Sequence, residues 1–402
     1  MRKHLGPPIL AFFLAAPAMA QIIQLPAGDK PLVAQLTPVF SVGGSVAEEW
    51  AEFTGLPDVA FDASGNLYVW DQLSGILAVV DARGKLLRRV GARGSGPGEF
   101  RMPHEAFAVF RNGTIVLNDL GKRAFIVYEP QGAARDVPVE FTEGRPDRIA
   151  VAGERRLAFV PGLLLINGQP QLLGQARVAA THRPVGAFTL DGEVRTLFKG
   201  WLVKYPQQTE RFTRLLLAPD IYWTALSNGV IAVADSTTYT VRLIDTQGNV
   251  STLQRPIPVR RTTDADRDVV RAAVRTSLVG PPVTTGARGR NPNASSGGRV
   301  RLPPEDAERI AQASPVYEEI QTIQQLAGDW EDRLWIRRAG SPVDAGPIDL
   351  VTTTGAYVGT IQKGRIPAAF GPNGLVAFVE RGEFDIPVIK VQRLTLTPST
   401  AR

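Results

Sequence analysis

The sequence predicts an all-β fold: a six-bladed β-propeller of four-stranded antiparallel blades, with the ring closed by an N-terminal strand. Three observations lead there. The stretches LPDVAFDASGNLYVWD, beginning at Leu56, and MPHEAFAVFRNGTIVLND, beginning at Met102, share a Pro, an apolar alternation, a turn glycine, a β-rich strand and a closing Asp. Their turn glycines, Gly65 and Gly113, and their closing acids, Asp71 and Asp119, are each 48 residues apart. A third copy, APDIYWTALSNGVIAVAD from Ala218, keeps the spacing of Pro103 to Gly113 between Pro219 and Gly229. After each copy come a strand, a D-x-x-G or P-x-G turn, and another strand. Four short strands in a unit of about 50 residues make a propeller blade, which buries both faces only when packed radially against two neighbours.

Taken along the chain, the first element is a targeting segment. Arg2, Lys3 and His4 give a basic start, an apolar run follows, and Ala18-Met19-Ala20 is an A-x-A cleavage site. That is the layout of a signal peptide spanning residues 1–20, too short to cross a bilayer comfortably. An uncleaved anchor is the other reading. Cleavage near Ala20 makes the mature chain periplasmic or extracellular, one propeller domain over residues 21–402. Next, PVFSVGG (38–44) resembles LLRRVG at the end of the first blade. It is the expected outer strand of the last blade, which otherwise runs one strand short and would leave an open edge.

The Gly-rich stretch GARGSGPGEFRMPHEAF, from Gly91, reads as the link between the first two blades, with Phe100 plugging the gap. A phosphate cradle is the competing reading. It lacks the Gly-Lys-Ser/Thr that such a loop needs and follows no βα unit. Asn112-Gly113-Thr114 is a hairpin, expected as a type I′ turn. Weaker copies begin at Arg145, Thr322 and Ile366, bringing the count to six. Without the signal and the insert described next, roughly 330 residues remain, enough for six blades.

Between the fourth and fifth blades the pattern stops for an insert at about residues 256–315. A helix is expected from Asp264, capped by Thr263, with Val270, Ala273, Val274 and Leu278 as its apolar stripe. The Gly-, Pro- and Ser-rich residues 280–298 read as disordered. A second short helix follows Pro304. Residues 255–301 hold ten arginines and three aspartates, so most of the chain's net charge of +6 belongs to the insert. The body is left slightly acidic, which excludes a general nucleic-acid role. The insert is expected either as a lid or docking arm over the channel mouth or as a variable surface loop. There is no cysteine, and so no disulfide and no thiolate chemistry.

The glycine run, the Phe-x-x-Pro, the G-x-apolar-Tyr/Val-V-x-D strand and the D-x-x-G turn resemble the NHL-repeat six-bladed propellers of secreted bacterial type. The first two blades match well, the fourth in part and the others loosely. The resemblance implies the fold and says little of activity, because propellers host enzymes and binders alike.

Candidate site residues follow from the strand starts. The residue after each strand-starting Pro is Asp58, His104, Asp147 and Asp220, and in the last copy Ala368. Innermost strands line the channel, so these side chains should ring its mouth. Two readings stand: each Asp fixes its own turn, or the four bind a ligand. Related six-bladed enzymes, gluconolactonase-like hydrolases and amidating lyases, hold metals in this region. The resemblance thus implies Ca or Zn on Asp58, His104, Asp147 and Asp220 if the protein is an enzyme. Against that, the mature chain has only His104 and His182, and no G-x-S-x-G or H-E-x-x-H motif occurs. Trp330 and Trp335 either pack within a blade or stack on a ligand. The leading expectation is a non-enzymatic binding or scaffolding module for a protein or small-molecule ligand, without cofactor. A metal-dependent hydrolase or lyase is the alternative, and a purely structural envelope protein a third reading.

Overall fold

The computed structural model describes residues 21–45, 47–166, 169–175, 179–206, 212–279, 302–340 and 345–399. They form a six-bladed β-propeller. Blade one runs from its inner strand outward as Asp58–Phe61, Leu67–Asp71, Ile76–Val80 and Leu86–Arg89; blade two as Pro103–Val109, Ile115–Asp119, Ala124–Tyr128 and Ala134–Pro138. Blade three is Pro146–Val151, Arg156–Pro161, Arg183–Thr189 and Val194–Gly200, with an extra hairpin, Leu163–Ile166 and Gln169–Leu172, before its third strand. Blade four is Tyr222–Ala225, Ile231–Ala234, Thr240–Ile244 and Val250–Gln254, and blade five is Ile323–Gly328, Arg333–Ala339, Ala345–Thr352 and Tyr357–Ile361. Blade six has only Ala369–Phe370, Leu375–Arg381 and Pro387–Pro398 from the C-terminal end of the chain.

Its fourth strand is the N-terminal segment Pro31–Gly43, antiparallel to Pro387–Pro398 from Leu32↔Pro398 to Gly43↔Val388. The ring closes as expected, with a strand that starts earlier than residue 38. The segment before it does more than the sequence predicts. Ile22–Gln24 adds a parallel fifth strand to blade four, and Pro31 and Leu32 also pair with Thr360 and Ile361 of blade five. One arm therefore runs along the outer edges of blades four, five and six.

Period-2 alternation explains why second strands are buried throughout. In Leu67–Asp71, Leu67 and Val69 face the seam with blade six, while Tyr68 and Trp70 face the seam with blade two. Ile115 and Leu117 return to that second seam, and Val116 turns to blade three. The same division continues with Val233 and Ala232 on either side of blade four, and Leu350 and Leu32 meet between blades five and six. Each seam thus has its own apolar cluster, made of residues pointing to opposite faces of neighbouring sheets.

The closing aspartates of the repeat have one job. Each is buried and accepts backbone N–H groups from the link arriving from the preceding blade: Asp71 from Thr54 at 2.7 Å, Asp119 from Arg101 at 2.6 Å and Met102 at 3.1 Å, Asp235 from Trp201 at 3.0 Å. Asp119 also takes Gly121 and Lys122 of its own turn. These carboxylates staple blade to blade. The Gly-rich link behaves as expected: Phe100 is fully buried in the seam and meets Trp70 edge-on at 5.5 Å. The phosphate reading is excluded by the chain itself, since the Glu99 carboxylate already accepts the Gly96 N–H at 2.7 Å. The Asn112-Gly113 hairpin is corrected. Only Gly113, at φ +88, is left-handed, so the loop is a type I turn with a glycine bulge and not type I′. Asn112 holds that geometry by accepting the Thr114 N–H at 3.0 Å.

The insert has its two helices, α1 (Asp264–Leu278) and α2 (Pro304–Ala313). Thr263 and Asp266 form a capping box on α1. Val270, Val274 and Leu278 pack against Leu216, Ala311 and Val316, while Ala273, counted in the expected stripe, stays exposed. Residues 280–298 lie outside the described residues.

The arm is fixed by Arg255, whose fully buried side chain donates to the carbonyls of Pro26 and Gly28, each at 2.8 Å, to Asp29 at 2.7 Å and to Asp349 at 2.8 Å. Burial would raise the Asp29 carboxyl, but hydrogen bonds from Arg338, Gln362 and Arg255 draw it down to about 2. A depressed folded-state value stabilises the fold above the ordinary carboxylate range. That contribution is lost as pH falls from 3.8 through about 2. Acid titration followed by circular dichroism should therefore show Asp29→Asn removing part of the stability loss in that window. At neutral pH, chemical denaturation should rank the acids by role. Asp119→Ala strands several buried N–H groups and should cost about 3 kcal/mol. Asp191→Ala, which removes one member of an exposed pair with Arg155, should cost under about 1 kcal/mol.

Candidate functional site

In each blade the chain alternates between two faces. Links into inner strands and turns from second to third strands share one face. On that face the inner strands surround a cavity of about 570 Å³. Asp58, Asp147 and Asp220 all line it, together with Arg148, Arg183, Tyr222, Trp223 and Gln325. Three of the four expected residues are thus brought together. His104 is not among the lining residues, and its buried Nδ1 has no hydrogen-bond partner among the described residues.

The local backbone accounts for this difference. Pairing along blade two's inner strand jumps from Pro103↔Asp119 to Phe107↔Leu117, so an irregular stretch over residues 104–106 faces the single residue Asn118 and takes His104 out of the register that Asp58 keeps. Blade three is bulged between Pro146 and Arg148, which lets the consecutive residues Asp147 and Arg148 both reach the cavity wall. Blade one is regular there, with Asp58 opposite Trp70.

The carboxylates differ in their surroundings. Asp147 makes no salt bridge among the described residues and is exposed to the cavity. Asp58 is exposed as well and marks the start of its strand. Asp220 accepts from Arg183 at 2.9 Å and from the Ile221 N–H at 2.7 Å, yet its side chain stays 59% exposed. Its backbone is pinned in both directions by Gln321, which accepts at 3.0 Å and donates at 2.8 Å. Arg183 is buried beneath it, its other amino group donating to the Pro161 carbonyl at 2.8 Å. Asp220 is therefore both a turn-fixing and a cavity-lining residue, which merges the two expectations held for it.

Arg148 is crowded by protein atoms yet remains exposed along the channel that it lines. Burial lowers its proton affinity, and the nearby Asp147 and Asp58 charges restore part of it. The Tyr222 hydroxyl is pushed up by burial and then by the Asp220 charge, so it remains a neutral donor.

Sequence reasoning missed Arg148 and Arg183. Arg148 had a signal, since it follows Asp147 directly at a strand start. Arg183 had none beyond standing beside His182, which lies in a bend with its Nδ1 3.2 Å from the Thr181 hydroxyl. Trp335 is core, its Nε1 donating to Asp329 at 2.9 Å and its ring against Phe370. Trp330 instead reaches the channel, where Arg111 covers its ring at 4.3 Å. Ala368 lines the channel below the mouth. Among the described residues, none of the helical insert lines the mouth cavity.

The donor set does not fit a metal. Among the described residues, no group of three or more His, Asp or Glu side chains is gathered closely enough to hold one. No helix among them is long and apolar enough to cross a membrane.

Comparison with known proteins agrees on architecture. Residues 54–141, which are blades one and two with their links, match a family described as a 6-bladed beta-propeller. No curated protein matches the chain. Among solved structures, the chain is similar to virginiamycin B lyase from Staphylococcus aureus, at 11% identity over 92% of this chain and 90% of that one, with a TM-score of 0.37. It is similar to a gluconolactonase from Xanthomonas campestris at 13% identity over 92% and 99%, with a TM-score of 0.41. A member of the DUF4221 family from Bacteroides vulgatus is 8% identical over 92% and 100%, with a TM-score of 0.48. Likenesses this remote carry no activity over to this chain.

Proposed function

We propose that the protein is an exported, non-enzymatic binding module of NHL-like repeat type that takes its ligand on the face where the inner strands begin. The observation carrying this reading is the mouth cavity of about 570 Å³, with Asp58, Asp147 and Asp220 on its wall. A volume of this size lies in the range of small-ligand sites. Around it the same face carries exposed apolar side chains. Leu56 and Leu73 belong to blade one, Met102 to the link into blade two, Leu164 and Leu165 to the extra hairpin, Trp201 to the link into blade four, and Phe384 to a turn of blade six. These are seven of the twelve large apolar residues exposed among the described residues, which concentrates them on one face. With Asp220 paired to Arg183, Asp58 and Asp147 outnumber Arg148, and a net acidic centre within an apolar rim favours a ligand with a cationic group and apolar flanks, whether a small molecule or a segment of a protein.

Export is supported by the basic and apolar N-terminus and the Ala18-Met19-Ala20 site; the first strand opens shortly after it, at Ile22. A metal-dependent hydrolase or lyase at Asp58, His104, Asp147 and Asp220 would need a ligand set that the described residues do not assemble.

Thermal melting of the mature protein tests both readings, with 4-phenylbutylammonium as the probe cation. The probe should raise the melting temperature by mass action on the folded state. Asp58→Asn with Asp147→Asn should abolish that rise, while chelator leaves the melt unchanged and elemental analysis finds no metal. A shift that survives the double substitution contradicts the mouth as the site. Bound metal with a chelator-sensitive melt would favour the enzyme.

A further inference from the structure

Below the mouth the channel continues as a second cavity of about 400 Å³, reached by inner-strand residues of all six blades. Its upper end shares Asp58, Arg148, Gln325 and Leu326 with the mouth. Its lower end is made by the turns that leave the inner strands, including Arg111, Ser227 and Trp330, so it points toward the opposite face.

The charges of this lower half leave a cationic balance, with the Asp58 carboxylate at the upper border beside Arg148. Asp329 lines this half as well, but that carboxylate already accepts from the Glu331 and Arg333 N–H groups, the Arg333 side chain and Trp335 Nε1. Arg148 and Arg111 remain, and both are held by the same device. An amino group of Arg148 donates to the Trp223 carbonyl at 2.5 Å, and its guanidinium lies 4.4 Å from the centre of the Trp223 ring. An amino group of Arg111 donates to the Trp330 carbonyl at 2.5 Å, and its guanidinium lies 4.3 Å from that ring's centre. One indole face and one carbonyl immobilise each cation. Neither arginine makes a salt bridge among the described residues, so unpaired N–H donors remain on both. The wall between is apolar, with Phe107, Phe370 and Leu226.

We propose that the lower half of the channel is a second site, selective for a small organic anion: a carboxylate, phosphate or sulfonate answered by Arg148 and Arg111, carried on a flat apolar body. Two pre-oriented guanidinium groups in a partly desolvated cavity are suited to planar oxyanions. An anion would offset, by its charge, the desolvation that lowers the proton affinity of Arg148, as Asp147 and Asp58 already do in part. The carboxylates at the mouth repel such a ligand, which therefore enters from the opposite face past Arg111. The two ends of one channel thus select opposite charges. This site does not require the mouth reading, although Arg148 borders both.

Isothermal titration of the mature protein at low salt tests it with three probes of one shape: 2-naphthoate, 2-naphthylmethanol and 2-naphthylmethylammonium. The anion should bind at least about tenfold more tightly than the alcohol, and added salt should narrow the difference. Arg111→Gln and Arg148→Gln should each weaken naphthoate by about tenfold and leave the alcohol nearly unchanged. Because Arg148 is enclosed, its variant is compared by melting first, and the exposed Arg111→Gln carries the test if the other does not fold. Equal binding of acid and alcohol, no naphthoate binding, or unchanged affinity in Arg111→Gln overturns the proposal. Ammonium binding lost in Asp220→Asn, a residue that lines the mouth and not the lower cavity, reports on the mouth, so failure of one site is distinguishable from failure of the other.

Discussion

Without the pairing of Pro31–Gly43 with Pro387–Pro398, blade six would have three strands and a free edge, and the last seam would lack its outer layer. Every seam is an apolar cluster shared by two blades, so each blade is sandwiched only if the ring is complete. Leu32 lies in the cluster between blades five and six, and Val42 in the cluster between blades six and one. One N-terminal strand therefore completes two of the six contacts. Arg255 anchors the approach to that strand by binding the arm's carbonyls and tying Asp29 to Asp349. A buried charge cluster of this kind contributes less through net attraction than through the cost of leaving any member unpaired. It fixes where the arm lies.

The closed ring turns small local irregularities into a site. Inner strands converge on one axis, so residues far apart in sequence share a wall. Bulges at their starts decide which side chains reach it: blade three delivers Asp147 and Arg148 together, and blade two withdraws His104. The result is a channel with carboxylates at the mouth, an indole-braced arginine, Arg148, at the junction and a second, Arg111, toward the opposite face. Such an axis is electrostatically polar although the propeller body carries little net charge.

Much of this was legible in the residues. The repeat of Pro, turn Gly and closing Asp marked the blades because each has a mechanical role. Gly113 supplies a positive φ, and Asp119 collects the N–H groups of the incoming link. Phe100, the α1 cap and ring closure followed from equally local rules. The parallel strand Ile22–Gln24 and the hairpin at Leu163–Leu172 were not legible, since neither an edge addition to a complete sheet nor a separate hairpin inserted between two strands follows the repeat. For the site, counting from each Pro found Asp58, Asp147 and Asp220 but misjudged His104, because a β-bulge has no sequence period. Arg148 and Arg111 escaped notice because their significance lies in partners, Trp223 and Trp330, that only the closed ring brings near.

The claim that ring closure governs the whole molecule is tested most directly by native-state hydrogen exchange of the Pro31–Gly43 amides, compared with those of Leu375–Arg381 in the same blade. If the closing strand is integral, its hydrogen-bonded amides open only with global unfolding and share the protection of Leu375–Arg381, the second strand of the blade. Exchange of the closing strand by local fraying, with Leu375–Arg381 still fully protected, would show that the ring stands without its clasp and contradict the account.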